Sequence, residues 1–464
     1  MNRSTQISYY LGFLFAFSYV IIRGFTVGMT HDEALTYKII SGDEVLRGTA
    51  NHHWLNTQLS SFTSHLFGAK EFALRLPNIL SFAVFWFFLF RISKEVLKSP
   101  FTQIALLLLL CGNPFILDFF SLCRGYGLSI ACITASLFYL FRIVNLQTET
   151  KASAYFLAAV FAVLALSANL NTLNFFLVSQ ALVFLLLVVF KPEKWVLILC
   201  TILIFSGITL YFSLDQLFYL KDHNELYFGT GTLNTATDNL IHSSFYLING
   251  FSEVIVLRYL LYAGLLFAIF QCIRRKQLFS PGVISLVIFV GILLALIAEH
   301  YLFDALYPIN RSLLYLYPVV VLALLLSVDG LKSKIGAIGF AICSGLFIFF
   351  NLPSYNLQNT MTWLENKHIK DAMLFIKREV PDHSVRTVEC KWIYEPIINY
   401  YRLEYQVPIQ EVFREDLKYQ ADYLFTNPFD GENNSGQIDG YLSVFMHRGE
   451  CGLFFYKRKP IEAN

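Results

Sequence analysis

The chain has 464 residues, of which 56% are hydrophobic and 15% charged, with a net charge of +2. A soluble domain carries about 25% charged residues, so this composition excludes an ordinary soluble globule and indicates a polytopic membrane protein. With near-neutral charge and no Lys/Arg-rich block, nothing points to nucleic acid.

Arg3 precedes the first apolar run, Ile7 to Ile22. No small-x-small cleavage site follows, so the run reads as an uncleaved signal-anchor helix. In all, about eleven apolar segments read as transmembrane helices: 7–28, 78–92, 101–119, 125–143, 153–168, 173–190, 195–213, 253–273, 281–299, 312–328 and 335–351. They must be helices, because lipid cannot satisfy exposed backbone groups. Alternate connectors carry Arg91, Lys94 and Lys98; Arg142 and Lys151; Lys191 and Lys194; Arg274, Arg275 and Lys276; and Lys332 and Lys334. These share a side with Arg3, which the positive-inside rule makes cytoplasmic. Residues 29–77, the turn at Arg124, the loop 214–252, the loop 300–311 and everything after about residue 352 then face outward.

Met29-Thr30-His31-Asp32-Glu33-Ala34-Leu35 follows the first apolar run. Its acidic pair is a helix cap, a solvated loop or a catalytic base; as a cap, Thr30 or Asp32 opens a helix running from Glu33. The segment 29–77 holds two helical patterns, Glu33–Leu46 and Leu55–Phe67, both amphipathic. Its His52 and His53 point in different directions on a helix, so they make a poor metal pair, although one of them with Asp32 is a conceivable metal site. Arg124 and Arg311 lie at outward helix ends. Arginine there either snorkels to headgroups or offers a planar fork of donors to a phosphate. The length and glycines of loop 214–252, with Tyr219, His223, Tyr227 and His242, suggest a lid or substrate loop. Gly229-Thr230-Gly231 is no dinucleotide loop, and there is no Walker A sequence.

Six of the eight cysteines lie in or beside apolar runs as small hydrophobes. Charge returns after Asn351. Val385–Cys390, Tyr423–Phe425, Tyr441–Phe445 and Leu453–Tyr456 read as strands, and Lys367–Arg378 and Glu395–Arg402 as helices. The expected organisation is therefore a membrane domain, 1–351, and a small α/β extracytoplasmic domain, 352–464. A Cys390–Cys451 disulfide is possible in that outer compartment.

His31-Asp32-Glu33-Ala34, Asn51–Thr57, Phe67-Gly68-Ala69-Lys70-Glu71-Phe72-Ala73-Leu74-Arg75-Leu76-Pro77 and Arg124-Gly125-Tyr126 occur in that order. In this the chain resembles the GT-C superfamily of polytopic glycosyltransferases, in the branch related to protein O-mannosyltransferases and the lipid A aminoarabinose transferase. The resemblance implies a GT-C fold and a sugar donor carried on a polyprenyl phosphate. It implies inverting transfer to an acceptor hydroxyl of a lipid, glycan or protein, at the outer face of a bacterial inner membrane. Asp32 is then the general base, with Glu33 as the second acid. His53, Arg124, Tyr126 and Arg311 are candidates for binding substrate. No cofactor is certain; a divalent metal at Asp32 and His53 is possible. This chain reads His52-His53-Trp54-Leu55-Asn56-Thr57 where many members read His-Pro-Pro, and Leu122-Cys123 where an acidic residue often stands. A flippase for lipid-linked glycans and a non-catalytic scaffold are the competing classes. A transporter tends to show internal repeats and broken helices at mid-membrane, and neither is evident in the sequence.

Overall fold

The computed structural model describes residues 1–46, 53–226, 228–245, 251–329, 331, 334–380, 384–426, 438–446 and 453–459. Among them, eight helices are long and apolar enough to cross a membrane. A further pair, Pro100–Cys111 and Pro114–Phe120, is bent by 55° at its break. The break follows from local chemistry. Pro114 has no N–H to continue the first helix, and the Asn113 side chain accepts from Phe115 N–H at 2.9 Å to open the second. The apolar helices Ala152–Ala168 and Leu316–Asp329 are shorter. Together these helices account for every apolar segment of the sequence, and the protein is an integral membrane protein.

Two compact units make up the chain. The first is Met1–Ile21, Leu46–Ser60 and Arg75–Tyr355; the second is Ile22–Val45, Ser61–Leu74 and Asn356–Asn464.

The core of the first unit is the helix pair Gly125–Leu146 and Ala152–Ala168. Ala154, Ala158, Ala162 and Ala165 are all buried. Small residues at this spacing let helices approach closely where lipid offers no hydrophobic drive. The Ser136 hydroxyl donates to the Ala158 carbonyl at 2.8 Å across the pair. The helix Trp195–Asp222 does the opposite. Leu197, Ile204, Phe205, Ile208, Tyr211 and Phe212 stand exposed along it, an apolar surface whose natural solvent is lipid. This helix runs past residue 214, and a second helix occupies Leu233–Ser244. The expected long loop is thus largely helical. The Thr232 hydroxyl opens the second helix by accepting from Thr235 N–H at 3.2 Å. Tyr227 lies outside the described residues.

The second unit contains a four-stranded sheet. Its strands are β1 (Val388–Cys390), β2 (Tyr423–Thr426), β3 (Tyr441–Met446) and β4 (Phe454–Arg458), in the order β1-β2-β4-β3. β1 and β2 are parallel and the other neighbours antiparallel. A parallel pair needs a crossover, and the helix Glu395–Glu404 lies on that connection. The helix Ile369–Glu379 buries Ile369, Ala372, Met373 and Ile376, the single stripe that its amphipathic pattern demands. Phe455 of β4 meets Phe375 of this helix at 5.9 Å between ring centroids. Cys390 is buried in β1, and burial pushes its thiol pKa up. Cys451 lies outside the described residues.

Candidate active site

The acidic pair belongs to the second unit. Thr30 has extended backbone and caps the helix His31–Ser41. Its hydroxyl accepts from Glu33 N–H at 3.3 Å, and the Glu33 carboxylate accepts from Thr30 N–H at 3.1 Å. This is a capping box, which satisfies two backbone donors that a helix start leaves orphaned. Glu33 is fully buried in that role. Asp32 sits one residue earlier in the same first turn and is also buried. There the positive end of the helix dipole favours a negative charge. One acid therefore holds the helix start, and its neighbour is carried by it.

The rest of this helix is fixed by the unit's C-terminal residues. The Tyr37 hydroxyl donates to Glu404 at 2.6 Å, and Lys38 pairs with Glu395 at 2.8 Å. Glu395 also takes Arg414 at 3.1 Å. His31 Nδ1 lies 2.6 Å from the Ile393 carbonyl, and its ring meets Trp392 edge-on at 5.6 Å. A carbonyl only accepts, so Nδ1 carries the proton.

Burial holds the His31 pKa below its ordinary value of 6.5, against the Ile393 bond and the charges of Asp32 and Glu395, while Arg414 adds to the lowering. A histidine lowered in the fold binds fewer protons there than in the unfolded chain. Its stability contribution is fully present above about pH 6.5 and is lost as pH falls toward the folded-state pKa. Thermal melts between pH 5 and 7.5 are expected to fall on the acid side, with a shallower slope in His31→Asn. Equal slopes in both proteins would remove His31 as the cause.

The other candidates belong to the first unit. His53 is buried, with Nδ1 3.1 Å from the Ala168 carbonyl. Its ring meets the Tyr126 ring at 5.0 Å. The Arg124 guanidinium is buried and lies 5.7 Å from the centre of the same ring. His53, Arg124 and Tyr126 thus form one cluster. A glycine between the last two permits it. A Cβ on Gly125 would lie 1.8 Å from the Ala168 carbonyl oxygen and 2.8 Å from His53 Nδ1. Behind the turn, Cys123 donates to the Ser60 hydroxyl at 3.2 Å, and the Asn78 amide bonds Asn56 at 2.5 Å. Arg311 has a different setting, in the 3-10 turn Asn310–Leu313 with its guanidinium 4.9 Å from the Phe228 ring centre. Among the described residues no three His, Cys, Asp or Glu side chains gather as a metal-ligand set. His52 lies outside them.

Glu299 escaped the sequence reading. It sits in the apolar helix Pro281–Phe303 and accepts from the Asn174 amide at 3.1 Å. A carboxylate inside an apolar run was the available signal.

No family model matches the chain, and no curated protein sequence does. Solved structures do match. The apo structure of ArnT from Cupriavidus metallidurans matches with a TM-score of 0.54 at 10% identity, over 98% of this chain and 98% of that one. ArnT bound to undecaprenyl phosphate matches with a TM-score of 0.48 at 12% identity, over 88% of this chain and 76% of that one. Arabinosyltransferase EmbB from Mycobacterium smegmatis gives 0.46 at 13% identity over 71% of this chain, which spans only 30% of that protein. The apo ArnT match runs nearly end to end on both sides. The chain therefore has the GT-C fold of polytopic membrane glycosyltransferases.

Proposed function

We propose that the protein transfers a sugar from a polyprenyl-phosphate donor to an acceptor hydroxyl at the outer face of a bacterial inner membrane. The observation that carries this reading is a GT-C fold extending over 98% of the chain. The N-terminus lies on the cytoplasmic side and residues 352–464 form the outer domain. Asp32 is the base. A hydroxyl is a weak nucleophile, and a carboxylate in hydrogen-bond reach takes its proton as the new bond forms at the anomeric carbon. The bond from that carbon to the phosphate oxygen breaks, and the configuration inverts. Negative charge then grows on the lipid phosphate, where fixed positive partners stabilise it; Arg124 and Arg311 are the proposed holders, with His53 and Tyr126 as further substrate-binding residues. Glu33 supports the helix that carries Asp32.

Membranes containing the full-length protein, supplied with a panel of polyprenyl-phosphate sugars, are expected to yield a glycosylated acceptor detectable by mass spectrometry. Movement of the lipid-linked sugar between leaflets with no new glycosidic bond would replace the enzyme by a flippase.

A further inference from the structure

Glu71 is buried at the start of the helix Glu71–Glu95, in the motif that enters this span. Three side chains converge on its carboxylate. Lys370 pairs with Oε1 at 2.8 Å, Tyr401 donates to Oε1 at 3.2 Å, and Tyr405 donates to Oε2 at 2.6 Å. Tyr401 does a second thing. Its oxygen accepts from the backbone N–H of Met29 at 2.8 Å. Met29 immediately precedes the Thr30 cap and lies three residues before Asp32. Around this point the fit is close. The Tyr401 hydroxyl lies 3.5 Å from where a Cβ on Gly28 would be, and Tyr400 donates to the Ala69 carbonyl at 3.1 Å.

We propose that Glu71 and Tyr401 are positioning residues that hold the Met29–Thr30 backbone, and through it Asp32, in the reactive place. The inference rests on the proposed role of Asp32. Its logic is local. Glu71 fixes the phenol by accepting its proton, so the phenol's lone pairs face Met29 N–H. Lys370 compensates the buried carboxylate, which keeps it an acceptor. Tyr405 bonds Glu71 through its other oxygen, and the Met29 N–H is given to Tyr401. The two tyrosines therefore separate positioning from general support.

Hydrogen exchange tests the brace without any substrate. In full-length protein, Tyr401→Phe is expected to speed exchange at the Met29 and Thr30 amides by about tenfold, the scale of one lost hydrogen bond. Tyr405→Phe is expected to leave those amides within about twofold. Turnover gives the second readout, using whichever undecaprenyl-phosphate sugar the wild type accepts. Tyr401→Phe and Glu71→Gln are expected to lower kcat about tenfold or more, since small misplacements of a reacting group are costly, with KM for the donor little changed. Unchanged exchange in Tyr401→Phe overturns the brace. Faster exchange with unchanged kcat keeps the brace but overturns its bearing on Asp32. A wild type that transfers no sugar, yet shows the exchange difference, removes the proposed reaction and leaves the brace standing.

Discussion

Asp32→Asn is expected to lower the rate of sugar transfer by about 10²–10⁴-fold, the usual worth of a positioned general base. The substitution keeps the size and shape of the side chain and removes its charge and its capacity to take a proton. The fold should survive, because Thr30 and Glu33, not Asp32, make the capping box. Some stability is lost with the charge at the helix N-terminus, about 0.3–1 kcal/mol, far too little to explain a hundredfold rate loss. Glu33→Gln is expected to behave oppositely. A capping box takes Gln as well as Glu at this position, so the substitution loses only a charge near the helix start, about 0.3–1 kcal/mol, and most activity per folded molecule remains. Single-turnover rates beside thermal melts in the same detergent distinguish the two. Transfer by Asp32→Asn within about threefold of wild type, against the range expected for a lost base, would sink the catalytic assignment.

Gly125→Ala carries the largest expected cost to stability. One added methyl would sit 1.8 Å from the Ala168 carbonyl oxygen and 2.9 Å from its carbon. These are backbone atoms, so no rotamer change relieves the clash. The turn before Gly125–Leu146 must move away from the end of Ala152–Ala168, against an alanine seam packed for close approach. We expect a loss of about 3 kcal/mol or more, at or beyond the top of the overpacking range, seen as a lower melting temperature and a poor yield of folded protein. Arg124 and Tyr126 flank Gly125 and His53 packs against it, so under the proposed function surviving protein should also bind donor poorly. Gly345→Ala is the control. It lies in the helix Ile335–Asn351 with nothing within 4 Å of the new Cβ, and should change stability by no more than about 1 kcal/mol. If Gly125→Ala melts like Gly345→Ala, the contact at Ala168 is wrong.

The membrane architecture was legible because lipid imposes it. Each apolar segment had to be helical, and each is, although 101–119 is two helices that meet at 55°. The strands and helices of the C-terminal region were legible from short apolar stretches separated by turns. The capping box was also on the page as Thr30-x-x-Glu33, within the acidic pair that the sequence offers as cap or catalyst. The helix Leu233–Ser244 was not legible. Its sequence, LNTATDNLIHSS, is polar and broken by Thr and Asn, and residues of that kind favour turns unless a cap and packing overrule them. Least legible of all was the grouping of residues 22–45 and 61–74 with 356–464. Periodicity reports which face of an element is buried, never which distant element covers it. Glu71 stood out as part of a motif, but Lys370, Tyr401 and Tyr405 had no mark in the sequence that joined them to it.

That grouping has a consequence for synthesis. The backbone ahead of Asp32 is tied to Tyr401, and the helix after it to Glu395 and Glu404. A nascent chain that has just exposed Asp32 contains none of those residues. At the usual elongation rates of about 5–20 residues per second, they emerge on the order of 20–70 seconds later. Until then the acidic turn has no native framework, and membrane helices must insert around an unfinished segment. A ribosome that stops short of residue 395 leaves a chain without the partners of Met29, Tyr37 and Lys38. Under the proposed role of Asp32, such products would be inert rather than partly active.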